Sequence, residues 1–456
     1  MVTVEELRKW YETHRETILE NYFSLLRFKS ISADPAFTDE MGRCALWISD
    51  YLKNLGMDVE LWETSGHPVV FGSTSYDPSK PTVLIYHHYD VQPVDPLELW
   101  KSDPFDPEVR DGKVYARGAS DNKGQLGFTL TALKAFLGLA KGKEINIKIF
   151  VEGEEESGGS GTFEILEKKK EALKADYLLV VDMDLPAQDV PGITLGLRGI
   201  LALEVECKNS LSDLHSGTHG GIALNPNRAL ASALGKLWDE NGSVAIPHFY
   251  DEVMPLSKEE LNRLDTSFDK GKYTKEFGVQ AFSGETGFSF VESNWARPTL
   301  EINGMSGGYT GAGFKTIIPS IAKAKISCRL VPSQDPHTIA LRIKEFLRKH
   351  IPEGISLKIE ELHGAAAYRC PFDSSLVITV AKAYEEVFNK KCNYMLCGGS
   401  VPIVPALASA SGAMTALIGC ALATDDIHAP NEHFGLDRFE QGFLTIGRIL
   451  SLLGVK

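Results

Sequence analysis

Three apolar runs in the first half of the chain have the length and composition of buried strands. "TVLIYH" (82–87), "INIKIFVEG" (145–153) and "DYLLVVDMD" (176–184) are rich in Val, Ile and Leu and read as largely apolar runs. Strands that stay apolar on both faces belong to a sheet covered on both sides, as parallel sheets are. Between them lie "GQLGFTLTALKAFLGLA" (124–140) and "SGTFEILEKKKEALKA" (160–175), which read as helices.

From about residue 200 the texture changes. "LALEVECK" (201–208), "KAKISCRLVP" (323–332) and "SLKIEEL" (356–362) are half-alternating strands. Two helices accompany them, "NPNRALASALGKLWDENG" (225–242) and "DPHTIALRIKEFLRKHIPEG" (335–354), each opening on an Asn or Asp followed by Pro. After about residue 371 the chain returns to a helix, "SSLVITVAKAYEEVF", and an apolar run, "MTALIGCA". The pattern predicts an α/β fold: a mostly parallel-sheet catalytic domain with helices on both faces, interrupted by an inserted α+β domain with an antiparallel sheet. The boundaries fall at 1–199 and 371–456 for the first domain and 200–370 for the insert.

Composition narrows the picture. At 456 residues the chain exceeds what one core usually serves, which agrees with two domains. A net charge of -14 argues against a nucleic-acid partner, which would demand a basic face. No membrane span is expected either. The N-terminal "MVTVEELRKWYETHRETILENYF" lacks the apolar core of a signal peptide, and "VPIVPALASASGAMTALIGCALA" (401–423), with two prolines, reads as core loop, helix and strand. Seven cysteines without CxxC spacing fit buried, reduced thiols and a cytoplasmic protein better than a disulfide framework.

The chemistry sits where the apolar runs stop. The first ends at His87 and His88, with Asp90 two positions on; the second runs into "VEGEEES" (151–157); the third ends at Asp182. "ARGASDNKG" places Asp121 just before a helix, and "TDDIHAPNEH" brings His428 after the late apolar run. In open α/β sheets, sites form beyond the carboxyl ends of the strands. Five segments thus deliver imidazoles or carboxylates to one edge. Two imidazoles and three carboxylates suit two borderline-hard divalent ions such as Zn²⁺ or Mn²⁺, one carboxylate bridging them. The neighbouring glutamates of "EEE" (154–156) offer one ligand and one general base. Asp90, on the same strand face as His88, is placed to orient that imidazole.

Taken in order, "HHYDVQPVD", "DGKVYARGASDNKGQ", "VEGEEESGG", "GLRG", "DLHSGTHGG", "KTIIPSIAKAKISCRLVP", "GGSVPIV" and "HAPNEHF" span nearly the whole chain. They resemble the co-catalytic metallopeptidase family that contains carnosinase, cytosolic non-specific dipeptidase, carboxypeptidase G, aminoacylase and succinyl-diaminopimelate desuccinylase, and look most like the dipeptidase branch. The resemblance implies two metal ions per subunit. His88 and Asp182 would hold one, Glu156 and His428 the other, and Asp121 would bridge them. It further implies Glu155 as general base, Asp90 as orienting carboxylate and a cis peptide at Asp121–Asn122. The inserted domain is similar to the family's lid and dimerisation domain, so a homodimer is implied, with His215 reaching the partner's active site to stabilise an oxyanion. Arg329, Thr316 and Ser400 resemble the pocket for a substrate's terminal carboxylate, a task that suits a guanidinium fork. Hinges are expected near residues 198 and 370.

Two positions depart from the pattern or rival it. Relatives commonly have glycine where this chain has His87, and Asp184 shares a strand face with Asp182. The stretch "GGYTGAGFKT" (307–316) superficially resembles a phosphate loop, but Phe314 breaks the spacing. The resulting expectation is a two-metal exopeptidase acting on dipeptides or short peptides with a free C-terminal carboxylate. The alternative is an N-acyl-amino-acid amidohydrolase of the same fold, sharing every metal residue; a non-catalytic binding protein would have no need of Glu155.

Overall fold

The early apolar runs form the centre of a mixed sheet. The computed structural model describes residues 1–140, 144–264 and 267–454. By its internal contacts the chain divides into two units, Met1–Leu195 with Cys370–Met395 and Pro402–Lys456, and Gly196–Arg369 with Leu396–Val401.

In the first unit, strands Asn146–Glu152, Thr82–His88, Tyr177–Val181 and Met414–Ile418 lie side by side and parallel. Antiparallel strands flank this centre: Val69–Ser73 and Asp58–Trp62 on one side, Gly192–Leu197 on the other. All seven residues of Thr82–His88 are buried, which explains why the run does not alternate. Helices Val4–Leu26, Lys123–Leu139, Ser375–Phe388 and Leu436–Leu453 pack as one group, and Ser160–Lys168 with Ile403–Ser411 as another. The first of these starts at a capping box in which Thr3 and Glu6 satisfy each other's backbone N–H groups. The helix read over 160–175 is broken: it runs Ser160–Lys168 and resumes at Lys170–Leu173. At the break Lys169 turns its ammonium to Glu60, 3.0 Å away.

Register sets the edge at which this unit's chemistry collects. His88 pairs with Glu152 and Val181 with Ile418, so the residues that follow each strand leave at the same end of the parallel centre. Between the first two strands the chain passes Asp121 and enters the helix Lys123–Leu139, and the Asp121–Asn122 peptide is cis, as the resemblance implies.

The second unit carries a four-stranded antiparallel sheet in the order Thr299–Gly307, Ile321–Leu330, Gly199–Lys208, Ser356–Ala365. Gly199–Lys208 alternates buried and half-buried positions along its length. Its inner positions meet helices Pro226–Leu234 and Pro336–His350 in one core around Val205, Leu230, Ile326 and Ile343. Both helices start as their sequences indicate, with Asn225 and Asp335 as caps and Pro at the first turn. The edge strand Thr299–Gly307 is not announced by the hydrophobic pattern, because it is largely exposed or half-buried and contains two glycines. Among the described residues no helix is long and apolar enough to cross a membrane. The 401–423 stretch holds the helix Ile403–Ser411 and the strand Met414–Ile418.

Candidate metal centre

His88 closes its strand fully buried, and both ring nitrogens are occupied. Nε2 lies 3.0 Å from Asp121 Oδ1 and 3.6 Å from Asp182 Oδ1. Nδ1 lies 3.2 Å from the main-chain oxygen of Asp90 and 3.3 Å from its carboxylate Oδ1. The aligned contact is the main-chain one, since Oδ1 makes no hydrogen bond of its own. The Asp90 carboxylate instead spans two segments: Oδ2 accepts from Ser32 Oγ at 2.6 Å and from the Glu156 N–H at 3.0 Å. It therefore ties the tip carrying His88 to the glutamate turn.

Asp121 faces two ways. Oδ1 meets His88, and Oδ2 lies 3.1 Å from His428 Nε2. The loop that presents it is pinned from beneath by Glu432, a residue given no role on sequence grounds. Its carboxylate accepts from the N–H groups of Gly118, Ser120 and Asp121 at 2.8, 2.9 and 3.0 Å and from Arg117 Nη1 at 2.8 Å. Charge-assisted bonds to backbone amides fix a loop more firmly than neutral ones.

The two glutamates of the 155–157 turn are treated differently. Glu156 is held by Gln92, whose amide donates to Oε2 at 2.8 Å. Its other oxygen lies 3.2 Å from His428 Nε2 without forming an aligned hydrogen bond. Glu155 is half-buried, and burial pushes its carboxyl well above the usual range; Glu156, Asp182 and Asp121 add to the effect. Burial likewise moves Glu156 up to about 6, Asp121 contributing and His428 opposing. The hydrogen bond to Asp121, then the close Glu156 carboxylate, carry His428 up to about 10. Asp182 takes part through Oδ1, while Asp184 stays outside the cluster; burial raises it to about 6.

Two sets of ligand atoms result, His88–Asp121–Asp182 and Asp121–Glu156–His428, the atoms of each lying within 4.8 Å of one another. They share Asp121. Three half-buried carboxylates held this close to two imidazoles suit divalent cations, and nitrogen with carboxylate oxygen is the donor set of Zn²⁺ or Mn²⁺. The residues fit a pair of divalent ions.

Residues 84–451 match the peptidase family M20/M25/M40. This chain belongs to that family. It is 29% identical over 462 residues to the human Beta-Ala-His dipeptidase, covering 96% of this chain and 90% of the relative. It is equally 29% identical over 476 residues to the Cys-Gly metallodipeptidase DUG1 of Candida albicans, covering 99% and 96%. Its structure is similar to that of the M20 family metallo-carboxypeptidase Sso-CP2 from Sulfolobus solfataricus, with a TM-score of 0.87 at 31% identity over 96% of this chain and 99% of that one. Human carnosine dipeptidase 1 gives 0.82 at 28% identity, covering 99% of both. The chain is a metallopeptidase, a hydrolase of peptide or amide bonds, in the family's dipeptidase branch.

In this M20-family peptidase the remaining candidate residues lie in the second unit and fall into two pairs. His215 sits on a two-residue strand against Ile317–Ile318, and the Thr316 carbonyl accepts the next N–H, from Ser216, at 3.0 Å. His215 is exposed, and its Nδ1 accepts the Gly217 N–H at 3.0 Å, which leaves the ring's proton on Nε2. Arg329 and Ser400 form the other pair, Nη1 donating to Oγ at 2.8 Å. Arg198, from the "GLRG" motif, was given no role from sequence. Its Nε donates to Gly398 O at 2.8 Å and its Nη1 to Thr299 Oγ1 at 3.2 Å, bracing the loop that carries Ser400. Burial, then the neighbouring Arg329, lowers Arg198 to about 10, the mark of two guanidiniums close together in a partly desolvated place.

Proposed function

We propose that this peptidase hydrolyses dipeptides or short peptides with a free C-terminal carboxylate, using two divalent ions, Zn²⁺ or Mn²⁺. His88 with Asp182 would hold one, Glu156 with His428 the other, and Asp121 would bridge. The observation that carries the reading is Asp121, whose two oxygens each meet the imidazole of a different ligand set at 3.0 and 3.1 Å. Bound there, the ions supply Lewis acidity, making water acidic and polarising the scissile carbonyl. Glu155 takes the proton from the attacking water and returns it to the leaving nitrogen; burial holds its carboxyl above the usual range, the direction a general base needs. Asp90 holds His88 and the Glu156 turn in place. Arg329, with Thr316 and Ser400, anchors the substrate carboxylate, and His215 of a second subunit donates from Nε2 to the developing oxyanion. The working unit is then a homodimer. Buried thiols at Cys44, Cys207, Cys328, Cys392 and Cys420 accord with a cytoplasmic setting.

The support from relatives is direct in kind: a Beta-Ala-His dipeptidase and a Cys-Gly metallodipeptidase match along almost the whole chain. The test compares one simple dipeptide with its N-acetylated and C-amidated forms, on protein stripped by chelator and reloaded with Mn²⁺ or Zn²⁺. Activity on the free dipeptide that is lost on C-amidation is expected. Preference for the N-acetylated form would move the protein to the amidohydrolase reading and leave the metal residues standing.

A further inference from the structure

The strand tip carries a second imidazole that the proposed reaction does not use. His87 points to the opposite strand face from His88 and is fully buried. Its Nδ1 lies 2.7 Å from Asn122 Oδ1. Asn122, also fully buried, directs Nδ2 to two acceptors, Val181 O at 2.9 Å and Asp182 Oδ1. Those acceptors fix which end of the carboxamide is nitrogen, so Oδ1 must receive a hydrogen and His87 must carry its proton on Nδ1. A flip of the amide would set Oδ1 against a carbonyl and a carboxylate while Nδ2 faced an N–H. His87 Nδ1–H therefore holds the Asn122 carboxamide by its oxygen while Val181 O and Asp182 hold it by its nitrogen. Asn122 in turn donates to Asp182 Oδ1, the oxygen that lies 3.6 Å from His88 Nε2, so the ring's hydrogen bond bears on how that oxygen is presented to the centre. Its Nε2 meets no hydrogen-bonding group, so Asn122 is the one polar partner of the ring among the described residues.

We infer that His87 is a positioning residue for the His88–Asp182 side of the centre, acting through Asn122 on the Asp182 carboxylate. The inference rests on the two-metal reading above. Outer hydrogen bonds of this kind typically govern metal affinity by about 10–100-fold. The local chain adds a reason for such a device here: Asp182 follows the last residue of its strand and Asn122 precedes a helix without capping it, so neither side chain is fixed by its own element.

The experiment is a titration of chelator-stripped protein with Zn²⁺ in competition with a chromophoric chelator. Wild type, H87F and H87N are compared, with Co²⁺ spectra taken alongside. H87F keeps a ring without the donor, and H87N keeps an N–H close to the Nδ1 position. H87F should bind one of two equivalents about 10–100-fold more weakly, with the other unchanged and the Co²⁺ spectrum altered. H87N should restore most of that loss. H87A carries the same expectation as H87F, so misfolding of one leaves the other to decide. Equal binding of both equivalents by wild type and H87F or H87A would overturn the inference and leave the metal centre intact, as would a loss in H87N equal to theirs. Failure of wild type to take up Zn²⁺ would instead overturn the two-metal reading itself.

Discussion

Glu155 and Glu156 are adjacent and chemically identical, yet their surroundings separate them. Glu156 is gripped by Gln92 and faces His428, whereas Glu155 is desolvated and pressed by other carboxylates. The E155Q substitution should therefore lower kcat by about 10²–10⁴-fold with metal content unchanged. E156Q should lose metal. Elemental analysis beside steady-state rates checks both, and near-normal turnover by E155Q would remove it as the base. His88, Asp90 and Asp121 were legible in the sequence because polar residues at the tip of an apolar strand or the start of an apolar helix have few bland explanations. Glu432 and Arg198 were not. Their partners are mainly backbone groups, which leave no mark in the sequence, and Arg117, the charged partner of Glu432, lies 315 positions away.

The parallel centre was readable at the level of elements because burial on both faces favours Val, Ile and Leu, with Lys148 at the one half-buried position of Asn146–Glu152. The strand Thr299–Gly307 escaped for the opposite reason: backbone pairing with Ile321–Leu330 holds it, and its side chains are mostly exposed or half-buried. Loops are harder still, since their shape is set from outside. The 117–121 loop is the case with most bearing on the site, because one buried carboxylate, Glu432, gathers three amides and a guanidinium, with both ion-pair partners 1% exposed. E432Q should strand Arg117 without a counter-charge and turn an amide N–H toward a backbone donor. Losing one member of such a buried pair costs about 3–5 kcal/mol. Urea unfolding should show a lower midpoint at unchanged slope, together with weaker metal binding; a loss under about 1 kcal/mol would mean the loop is held by other contacts.

For the whole molecule the open question is whether one chain completes a working site. His215 belongs to the second unit, is exposed, and has its Nδ1 occupied by the Gly217 N–H, which leaves Nε2–H as a donor pointing away from its own backbone. Hydrophobic patterning carries no signal for His215, because an exposed polar side chain leaves no periodic mark in the sequence. If His215 serves the partner's centre, H215N and E155Q chains are each inactive for a different reason and complement one another. A mixed dimer contains one centre with an intact glutamate from the H215N chain and an intact imidazole from the E155Q chain; its other centre lacks both. Random re-association of equal amounts makes half the dimers mixed, so the mixture should recover about one quarter of wild-type activity if assembly is a two-fold dimer. The recovery should appear only after subunits exchange, and it should be absent when either variant is assayed alone. Activity that stays at the level of the separate variants after exchange has been verified would place His215 in its own chain's site or outside the reaction.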